Sequence, residues 1–210
     1  MNEIDETDHR HAGSVEATLE FLNTHELEES GQWVETLPTL RDGAAWLVGH
    51  GLLYPDEAGP LGRLDDARQR HLLAHLHDAR DAIREVVESL VAGRPAADSA
   101  VTAVNGLLRA RTVVELAQSD GTLVARHRHV GDAVEGALAR LAEPLVDSVA
   151  SGDTGRLRIC ANDGCRWVFE DTSRTGRRRW CSMASCGNRA KAARHRARQR
   201  GQLPAARSTS

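Results

Sequence analysis

Apolar residues recur at helical spacing over most of the first 150 residues. The longest pattern lies between Asp65 and about Ala92, and its apolar members follow one another at steps of three or four: Leu72, Leu76, Ala79, Ile83, Val86 and Leu90. This spacing places them on one stripe of a helix that faces a core. Shorter patterns predict further helices over residues 14–30, 40–51, 98–108 and 132–149, with a kink or a restart at Pro144 in the last of them.

The pattern changes between residues 112 and 129, where two β-prone runs replace the helical spacing. The runs cover residues 112–117 and 122–129, and the turn sequence Ser119-Asp120-Gly121 separates them. This arrangement predicts a β-hairpin. The N-terminal domain is therefore predicted to be mainly α with one β-hairpin, an α+β fold over residues 15–150. It follows an acidic leader over residues 1–14, which we expect to be disordered.

The size and hydropathy of the chain exclude several classes of protein. Its 210 residues suffice for one ordinary domain and a small appendage. No apolar run approaches the roughly 18 to 20 residues that a membrane span needs, so a transmembrane protein is excluded. The acidic, polar start is unlike a signal peptide or a transit peptide, and we expect a cytoplasmic protein that contacts no membrane.

Charge divides the chain into an acidic body and a basic end. Residues 1–155 hold 13 Arg against 27 Asp and Glu, a net charge of −14. Residues 156–210 hold 13 Arg and one Lys against three acidic residues, a net charge of +11. Such asymmetry indicates a polyanionic partner, most often nucleic acid. A solubilising basic tail has the same composition, so charge alone leaves both interpretations open.

All four cysteines lie in the basic end, between residues 160 and 186. Cys160 and Cys165 form one C-x4-C pair, and Cys181 and Cys186 form a second pair with the same spacing. Because the cytosol keeps thiols reduced, matched pairs of this kind indicate zinc ligation rather than disulfides. Four thiolates leave no open coordination position, so we predict one structural Zn²⁺ ion.

The basic end is predicted to form a small module over residues 156–200. A linker over residues 151–155 joins it to the body, and the charge changes sign directly after this linker. Trp167, Phe169 and Trp180 supply the large apolar side chains of the module. The last ten residues, 201–210, are polar and are expected to be disordered.

Within this module, the turn Asn162-Asp163-Gly164 is expected to bring Cys165 back beside Cys160. Residues 167–171 and 177–180 are expected to pair as a hairpin. A helix is expected to begin at Asn188, so that Cys186 lies at its N-terminus. This order of knuckle, hairpin and helix resembles a treble-clef zinc finger, whose folding depends on its metal.

The sequence from Cys181 to Arg189, Cys-Ser-Met-Ala-Ser-Cys-Gly-Asn-Arg, resembles the CGNR zinc finger of bacterial proteins. In the body, Phe21-Leu22-Asn23-Thr24 and Ala45-Trp46-Leu47 are similar to the ABATE domain, which usually precedes that finger. Glu20 stands where that domain often has an aspartate. The resemblance implies a nucleic-acid-binding finger attached to the regulatory domain of a stress-response transcription regulator.

The candidate nucleic-acid contacts lie on the predicted helix and on the arginine cluster before Cys181. They are Arg177, Arg178, Arg179, Asn188, Arg189, Lys191, Arg194, Arg196 and Arg198. Guanidinium groups can bind phosphate oxygens or the guanine edge with two hydrogen bonds. The remaining helix face carries Ala190, Ala193 and Ala197, and we expect it to pack against the zinc core. These features predict a DNA-binding transcription regulator.

Two alternative functions remain open. An arginine-rich zinc module also suits an RNA- or ribosome-binding protein, and a protein-interaction adaptor could dock its basic end on an acidic partner. If the protein binds DNA, a homodimer formed through the body would supply two half-sites. The body is also a candidate sensor of a small-molecule effector, with Asn23, Thr24 and Trp46 as candidate pocket residues. A helix cap or a turn explains Asn23-Thr24 equally well.

The sequence has no enzyme signature. A P-loop, GxGxxG and GxSxG are all absent, and we find no convincing carboxylate pair. His71 and His75 lie four residues apart on the predicted long helix, with Asp78 nearby, a spacing that can hold zinc. A solvated helix face is the simpler explanation of these side chains, and we expect no enzymatic activity.

Overall fold

The fold is described by a computed structural model, which describes residues 13–28, 30–119 and 121–200. The predicted tail and all but the last two residues of the predicted leader lie outside these ranges. The helices are α1 Val15–Leu22, α2 Leu40–Gly49, α3 Pro55–Ala58, α4 Asp66–Ala92, α5 Asp98–Leu107, α6 Ala133–Ser151 and α7 Asn188–Gln199. The strands are β1 His25–Leu27, β2 Trp33–Glu35, β3 Arg111–Ser119, β4 Thr122–Val130, β5 Leu157–Ile159 and β6 Val168–Glu170. Strand β1 pairs with β2, β3 with β4 and β5 with β6, each pair as an antiparallel hairpin.

Helix α4 packs at the centre of the helical body, as its apolar stripe predicts. It begins after Asp65, whose carboxylate accepts a hydrogen bond from the Arg68 amide at 2.8 Å, and it ends at Gly93. Its buried apolar residues join a single core with α1, α2, α5 and α6: Leu72, Leu76, Ala79, Ile83 and Val87. The predicted mainly helical fold is therefore confirmed.

Helix α6 supplies the other half of this core. Its buried residues recur at helical spacing, and they include Val134, Leu138, Leu141 and Leu145. The helix runs from Ala133 to Ser151 without interruption, so the restart predicted at Pro144 does not occur. The hydroxyl of Thr18 in α1 donates to the carbonyl of Leu141 at 2.8 Å and fixes α1 against α6.

A short hairpin, β1–β2, follows α1 where the sequence predicts a longer helix. The hydroxyl of Thr24 donates to the carbonyl of Phe21 at 2.7 Å. Arg80 of α4 is 2% exposed, and it donates to Thr24 Oγ1 at 2.9 Å and to Glu35 Oε1 at 2.8 Å. The helix prediction is thus wrong beyond residue 22, because a contact between distant parts of the chain outweighs the local apolar spacing.

The ion pair between Arg80 and Glu35 holds this hairpin on α4. Burial raises the pKa of Glu35, but the hydrogen bonds from Arg80 and the Leu37 amide outweigh this effect and hold the pKa below its ordinary value of 4.5. Glu35 therefore stays ionised beside the guanidinium group. Removal of either partner would leave a poorly solvated charge, which is the costly way to disrupt such a pair.

The second hairpin, β3–β4, was predicted and is longer than expected. Its register runs from the pair Arg111–Val130 to the pair Ser119–Thr122. We call these two strands the hairpin arm. At its base, the buried ring of His129 lies against α6, with Nε2 3.2 Å from the carbonyl of Leu52. Gly136 of α6 makes room for this ring, because a Cβ at that position would lie 2.0 Å from Nδ1 of His129.

We predict that Gly136→Ala lowers the free energy of unfolding by about 1 to 3 kcal/mol, because the new methyl group overlaps the His129 ring. Chemical denaturation of the full chain measures the change. Gly106→Ala in α5 is the matched control, since no atom lies within 4 Å of its added Cβ. This control should raise the free energy of unfolding by about 0.5 to 1 kcal/mol, as glycine is a poor helix former. Equal effects of the two substitutions would contradict the packing described at the base of the arm.

Candidate metal centre and basic helix

The four cysteines come together at one point of the structure. Their sulfur atoms all lie within 4.8 Å of one another. The Cys165 and Cys181 sulfurs are 3.7 Å apart, and the Cys181 and Cys186 sulfurs are 3.8 Å apart. A tetrahedral zinc ion with Zn–S bonds of about 2.3 Å requires sulfur separations of about 3.8 Å. A disulfide needs about 2.05 Å, and the four thiols are not joined in disulfides.

The residues present therefore fit one structural zinc ion, and this part of the sequence prediction is confirmed. Zinc held by Cys160, Cys165, Cys181 and Cys186 would cross-link two loops that are 15 residues apart in the chain. All four positions are taken by protein thiolates, so the site has the composition of a structural centre and not of a catalytic one.

The first pair of cysteines lies in a knuckle between β5 and β6. The Cys160 amide donates to the carbonyl of Trp167 at 2.8 Å, and the Cys165 amide donates to the carbonyl of Asn162 at 2.8 Å. Strand β6 pairs with β5, in the register Leu157–Glu170 to Ile159–Val168. The predicted pairing of residues 167–171 with 177–180 is wrong, because the knuckle folds β6 back onto the strand that precedes it.

Residues 171–180 form a loop that leads to the second pair of cysteines. The fully buried carboxylate of Asp171 accepts hydrogen bonds from the Ser173 amide at 3.0 Å and from the Arg178 amide at 2.7 Å. The Ala161 amide donates to the carbonyl of Arg179 at 2.7 Å. These bonds hold the arginine cluster 177–179 against the knuckle without a β-ladder.

The second pair lies where a π-helical turn, Met183–Gly187, leads directly into α7. Cys186 is buried and occupies the predicted position at the start of the basic helix. A Cβ at Gly187 would lie 2.7 Å from the sulfur of Met183, so a larger residue there would displace the Met183 side chain. The Asn188 side chain donates to the carbonyl of Ala184 at 3.0 Å and stabilises the same turn.

Hydrogen bonds to sulfur surround Cys186. Arg189 Nη2 lies 3.3 Å from its sulfur, and Asn162 Nδ2 lies 3.5 Å from it. Burial raises the pKa of Cys186, but hydrogen bonds from Asn162 and Arg189 outweigh this effect and lower the pKa to about 6. Burial raises the pKa of Cys165 to about 11, and burial together with the nearby thiols raises that of Cys181 further. Several thiolates cannot accumulate here without a cation, which agrees with the fit to zinc.

Two aromatic rings connect the metal centre to the arginines. Phe169 and Trp180 pack on the cysteine cluster. The Arg178 guanidinium lies 4.9 Å from the centre of the Phe169 ring. Those of Arg179 and Arg194 lie 5.1 Å and 5.8 Å from the Trp180 ring. Trp180 therefore contacts both the arginine cluster and the basic helix, and a cation–π contact holds a charge of each beside the same ring.

Helix α7 projects from the metal centre. None of its residues is buried, and it carries no acidic side chain. Ala193 is exposed and Ala190 and Ala197 are only half-buried, so the predicted packing of this alanine face on the zinc core is wrong. The face is open because, of the described secondary-structure elements, α7 contacts chiefly the turn that precedes it.

The candidate nucleic-acid residues fall into two groups. Those with exposed side chains are Arg177, Arg179, Lys191, Arg194, Arg196 and Arg198. Those whose side chains donate hydrogen bonds within the zinc module are Arg178, Asn188 and Arg189, and the last two of these are exposed as well. Both groups lie on the loop and the helix that flank the second pair of cysteines, and their contact with nucleic acid stays a prediction.

Hydrogen bonds and shared core residues hold the zinc module against the helical body. Asn23, directly after α1, donates to the carbonyl of Val168 and accepts from its amide, both at 2.9 Å. The Trp167 indole donates to Glu26 at 3.2 Å. Leu157 and Val168 belong to the hydrophobic core of the body. Asn23 thus binds β6 as a neighbouring strand would, a role that its position in the sequence did not indicate.

Arg84 of α4 contributes a further contact at this junction. It donates to the carbonyl of Leu22 at 3.0 Å and to the carbonyl of Arg166 at 3.4 Å. Its guanidinium lies 5.7 Å from the centre of the Trp33 ring. One side chain therefore links the end of α1, the first knuckle and the β1–β2 hairpin.

The three candidate pocket residues have partners within the body or at this junction. Asn23 binds Val168, and Thr24 lies between Phe21 and Arg80. Trp46 stacks on His50 with 3.7 Å between the ring centres. Their role in binding a small molecule stays a prediction, and so do the domain limits 15–150 and 156–200 and the linker 151–155. The helices in the described part of the chain are all too short or too polar to span a lipid bilayer.

A helical body fused to a four-cysteine zinc finger with a basic helix defines the class of this protein. The family model described as "Putative stress-induced transcription regulator", ABATE, matches residues 16–152. The CGNR zinc finger model matches residues 156–199. Because the first match covers more than half of the chain, the chain belongs to the ABATE family, and it carries a CGNR zinc finger after that domain. A comparison with curated proteins found no match.

We predict that Asn23→Ala loosens β6 without removal of zinc, because Val168 loses both of its hydrogen bonds to the body while all four thiols remain. Amide hydrogen exchange of the full chain should show faster exchange at Val168 and in β5, with metal content unchanged. We expect the free energy of unfolding to fall by about 1 to 3 kcal/mol, because buried polar groups of Val168 lose their hydrogen-bond partner. Gln32→Ala, at an exposed site in the β1–β2 loop, is the control and should leave exchange unaltered. Unchanged protection of Val168 in Asn23→Ala would contradict this account.

Proposed function

We propose that this protein is a DNA-binding transcription regulator. Helix α7 and the arginine cluster 177–179 contact the DNA, and the helical body senses a signal or forms a dimer. The observation that carries the proposal is the charge of α7: five cationic side chains, no acidic one and none buried, on a base fixed at the zinc site. The match to a family of transcription regulators supports the same function.

The sequence of α7 favours a polyanionic partner. Lys191, Arg194 and Arg198 lie at spacings of three and four, so neighbouring side chains repel one another on the helix surface. A solvated helix of this kind has no partner that offsets the repulsion. Phosphate groups would offset it, and they would bind the guanidinium groups with two hydrogen bonds each.

The shape of α7 favours duplex DNA over duplex RNA. The major groove of B-DNA is wide enough to admit a helix, whereas that of A-form RNA is deep and narrow. One side of α7 carries only the small side chains of Ala190, Ala193 and Ala197, which would allow the helix backbone to approach the groove closely. The acidic body repels DNA and restricts contact to the basic end of the chain.

Contacts to phosphate would dominate affinity, and a few base contacts would set sequence preference. The arginines on α7 are suited to both, since guanidinium also binds the guanine edge. A single module of this size binds weakly, so two copies on neighbouring half-sites would raise affinity.

We predict that affinity of the full chain for duplex DNA falls steeply with salt, because counterions leave the phosphates on binding. With roughly six to eight phosphate contacts, the slope of log affinity against log salt concentration is about −5 to −7. The double substitution Arg194→Ala with Arg198→Ala should make this slope shallower by about 2. Fluorescence anisotropy of a labelled duplex measures both values.

The matched control is Arg41→Ala with Arg70→Ala, which removes the same charge from exposed sites on the body. It should leave the slope unchanged. The proposal is overturned if the two double variants lose affinity equally, or if the wild-type chain does not bind DNA at physiological ionic strength. Stronger binding to an RNA of equal charge would favour the RNA-binding alternative instead.

A further inference from the structure

Two side-chain nitrogen atoms converge on the sulfur of Cys186. Arg189 Nη2 lies 3.3 Å from this sulfur, and Asn162 Nδ2 lies 3.5 Å from it. Within the part of the chain that the structure describes, no other side-chain nitrogen donates a hydrogen bond to a cysteine sulfur. One donor comes from the first knuckle and the other from α7, so together they join both halves of the metal centre.

The first knuckle orients the side chain of Asn162. Its Oδ1 atom lies 3.4 Å from the Gly164 amide nitrogen, and its backbone carbonyl accepts a hydrogen bond from the Cys165 amide at 2.8 Å. Because a backbone amide can only donate, the side-chain oxygen faces Gly164 and the side-chain nitrogen faces the sulfur of Cys186. The turn that positions Cys165 therefore also positions a donor for the second pair of cysteines.

The spacing of the sequence orients Arg189. It follows Cys186 by three residues, and residues three apart on a helical backbone lie on the same side. Cys186 belongs to the turn Met183–Gly187, which leads directly into α7, so the two side chains meet across this junction. The order Cys-Gly-Asn-Arg thus places a guanidinium group on a metal ligand.

Negative charge surrounds Arg189. A cavity of about 620 Å³ lies between the β1–β2 hairpin and the zinc module, and three of the four cysteines line it together with Glu26, Glu28 and Arg189. Zinc would neutralise only two of the four thiolate charges. Among the described residues that line this cavity, Arg189 is the one cation. Its guanidinium group therefore offsets the charge of the thiolates and of the neighbouring carboxylates.

We propose that Arg189 and Asn162 are positioning residues of the zinc centre, which act through the sulfur of Cys186. Their hydrogen bonds offset the thiolate charge that the metal leaves over, and they fix the orientation of the sulfur. The arginine of the Cys-Gly-Asn-Arg sequence therefore serves the metal, and the exposed arginines further along α7 remain for contacts with DNA. This inference goes beyond the proposed function and holds whether or not α7 binds DNA.

The zinc affinity of the full chain, measured without DNA by competition with a chromophoric chelator, tests the proposal. Arg189→Ala should raise the zinc dissociation constant about 10- to 100-fold, the range typical of lost hydrogen bonds to metal ligands. The matched control is Lys191→Ala, which removes the same charge from an exposed site two residues further along α7. It should leave the constant unchanged, because solvent screens that charge.

Asn162→Asp keeps the test independent of any damage to the first knuckle. The aspartate retains the oxygen that accepts from the Gly164 amide, but it places an acceptor where the amide nitrogen faced the sulfur. We expect the zinc dissociation constant to rise at least about tenfold. If Asn162 served only the turn, this substitution would leave zinc affinity unchanged.

Alkylation of the zinc-loaded chain with iodoacetamide gives a second readout, since mass spectrometry measures the rate at each cysteine. Loss of a hydrogen bond leaves the Cys186 sulfur more nucleophilic, so Arg189→Ala should accelerate its labelling relative to that of Cys160, which is also buried. The proposal is overturned if Arg189→Ala and Lys191→Ala raise the zinc dissociation constant equally, if Asn162→Asp leaves it unchanged, or if Arg189→Ala accelerates all four cysteines alike. Because no DNA is present, a chain that binds zinc as predicted but not DNA would count against the proposed function alone.

Discussion

Coordination of four thiolates by one metal ion is the constraint on which the basic end of this protein depends. The finger has short strands, and its own cluster of buried residues consists of cysteines packed against Phe169 and Trp180. So small an apolar cluster is a weak source of folding free energy for a module of more than 40 residues. A structural zinc site contributes to the folding free energy directly, because its ligands come together only in the folded chain. The zinc site also fixes the position of α7, because Cys186 lies two residues before Asn188, where that helix begins.

The same constraint reaches the helical body through β6. Val168 lies in the body's core, and Asn23 binds its amide and carbonyl as a strand would. The Trp167 indole and Arg84 add contacts on either side. The finger is therefore held at a defined place on the ABATE domain. A displacement of α1 or α4 would disturb the hydrogen bonds to residues 166–168, next to the first knuckle.

Much of this architecture could be predicted from local patterns, and what could not be predicted depends on distant contacts. Helix α4 and the hairpin arm follow from apolar spacing and a turn signal, and the zinc ligands follow from paired cysteine spacing. The β1–β2 hairpin was missed because Arg80, 45 residues away in the sequence, binds Glu35. The predicted pairing of residues 167–171 was wrong because the knuckle folds β6 back onto β5, and β6 does not pair with the next extended segment. No local signal marks Asn23 as the residue that joins finger to body, since its partner is 145 residues away.

Zinc release against thiol modification tests the central claim most directly. The full chain, purified without chelator, is titrated with a thiol reagent while released zinc and affinity for duplex DNA are followed together. The account predicts one zinc per chain, released as the four thiols react, with DNA affinity lost in the same proportion. The account would be contradicted if the purified chain contained no bound zinc. It would also be contradicted if the chain kept its salt-dependent DNA affinity after all four thiols had reacted.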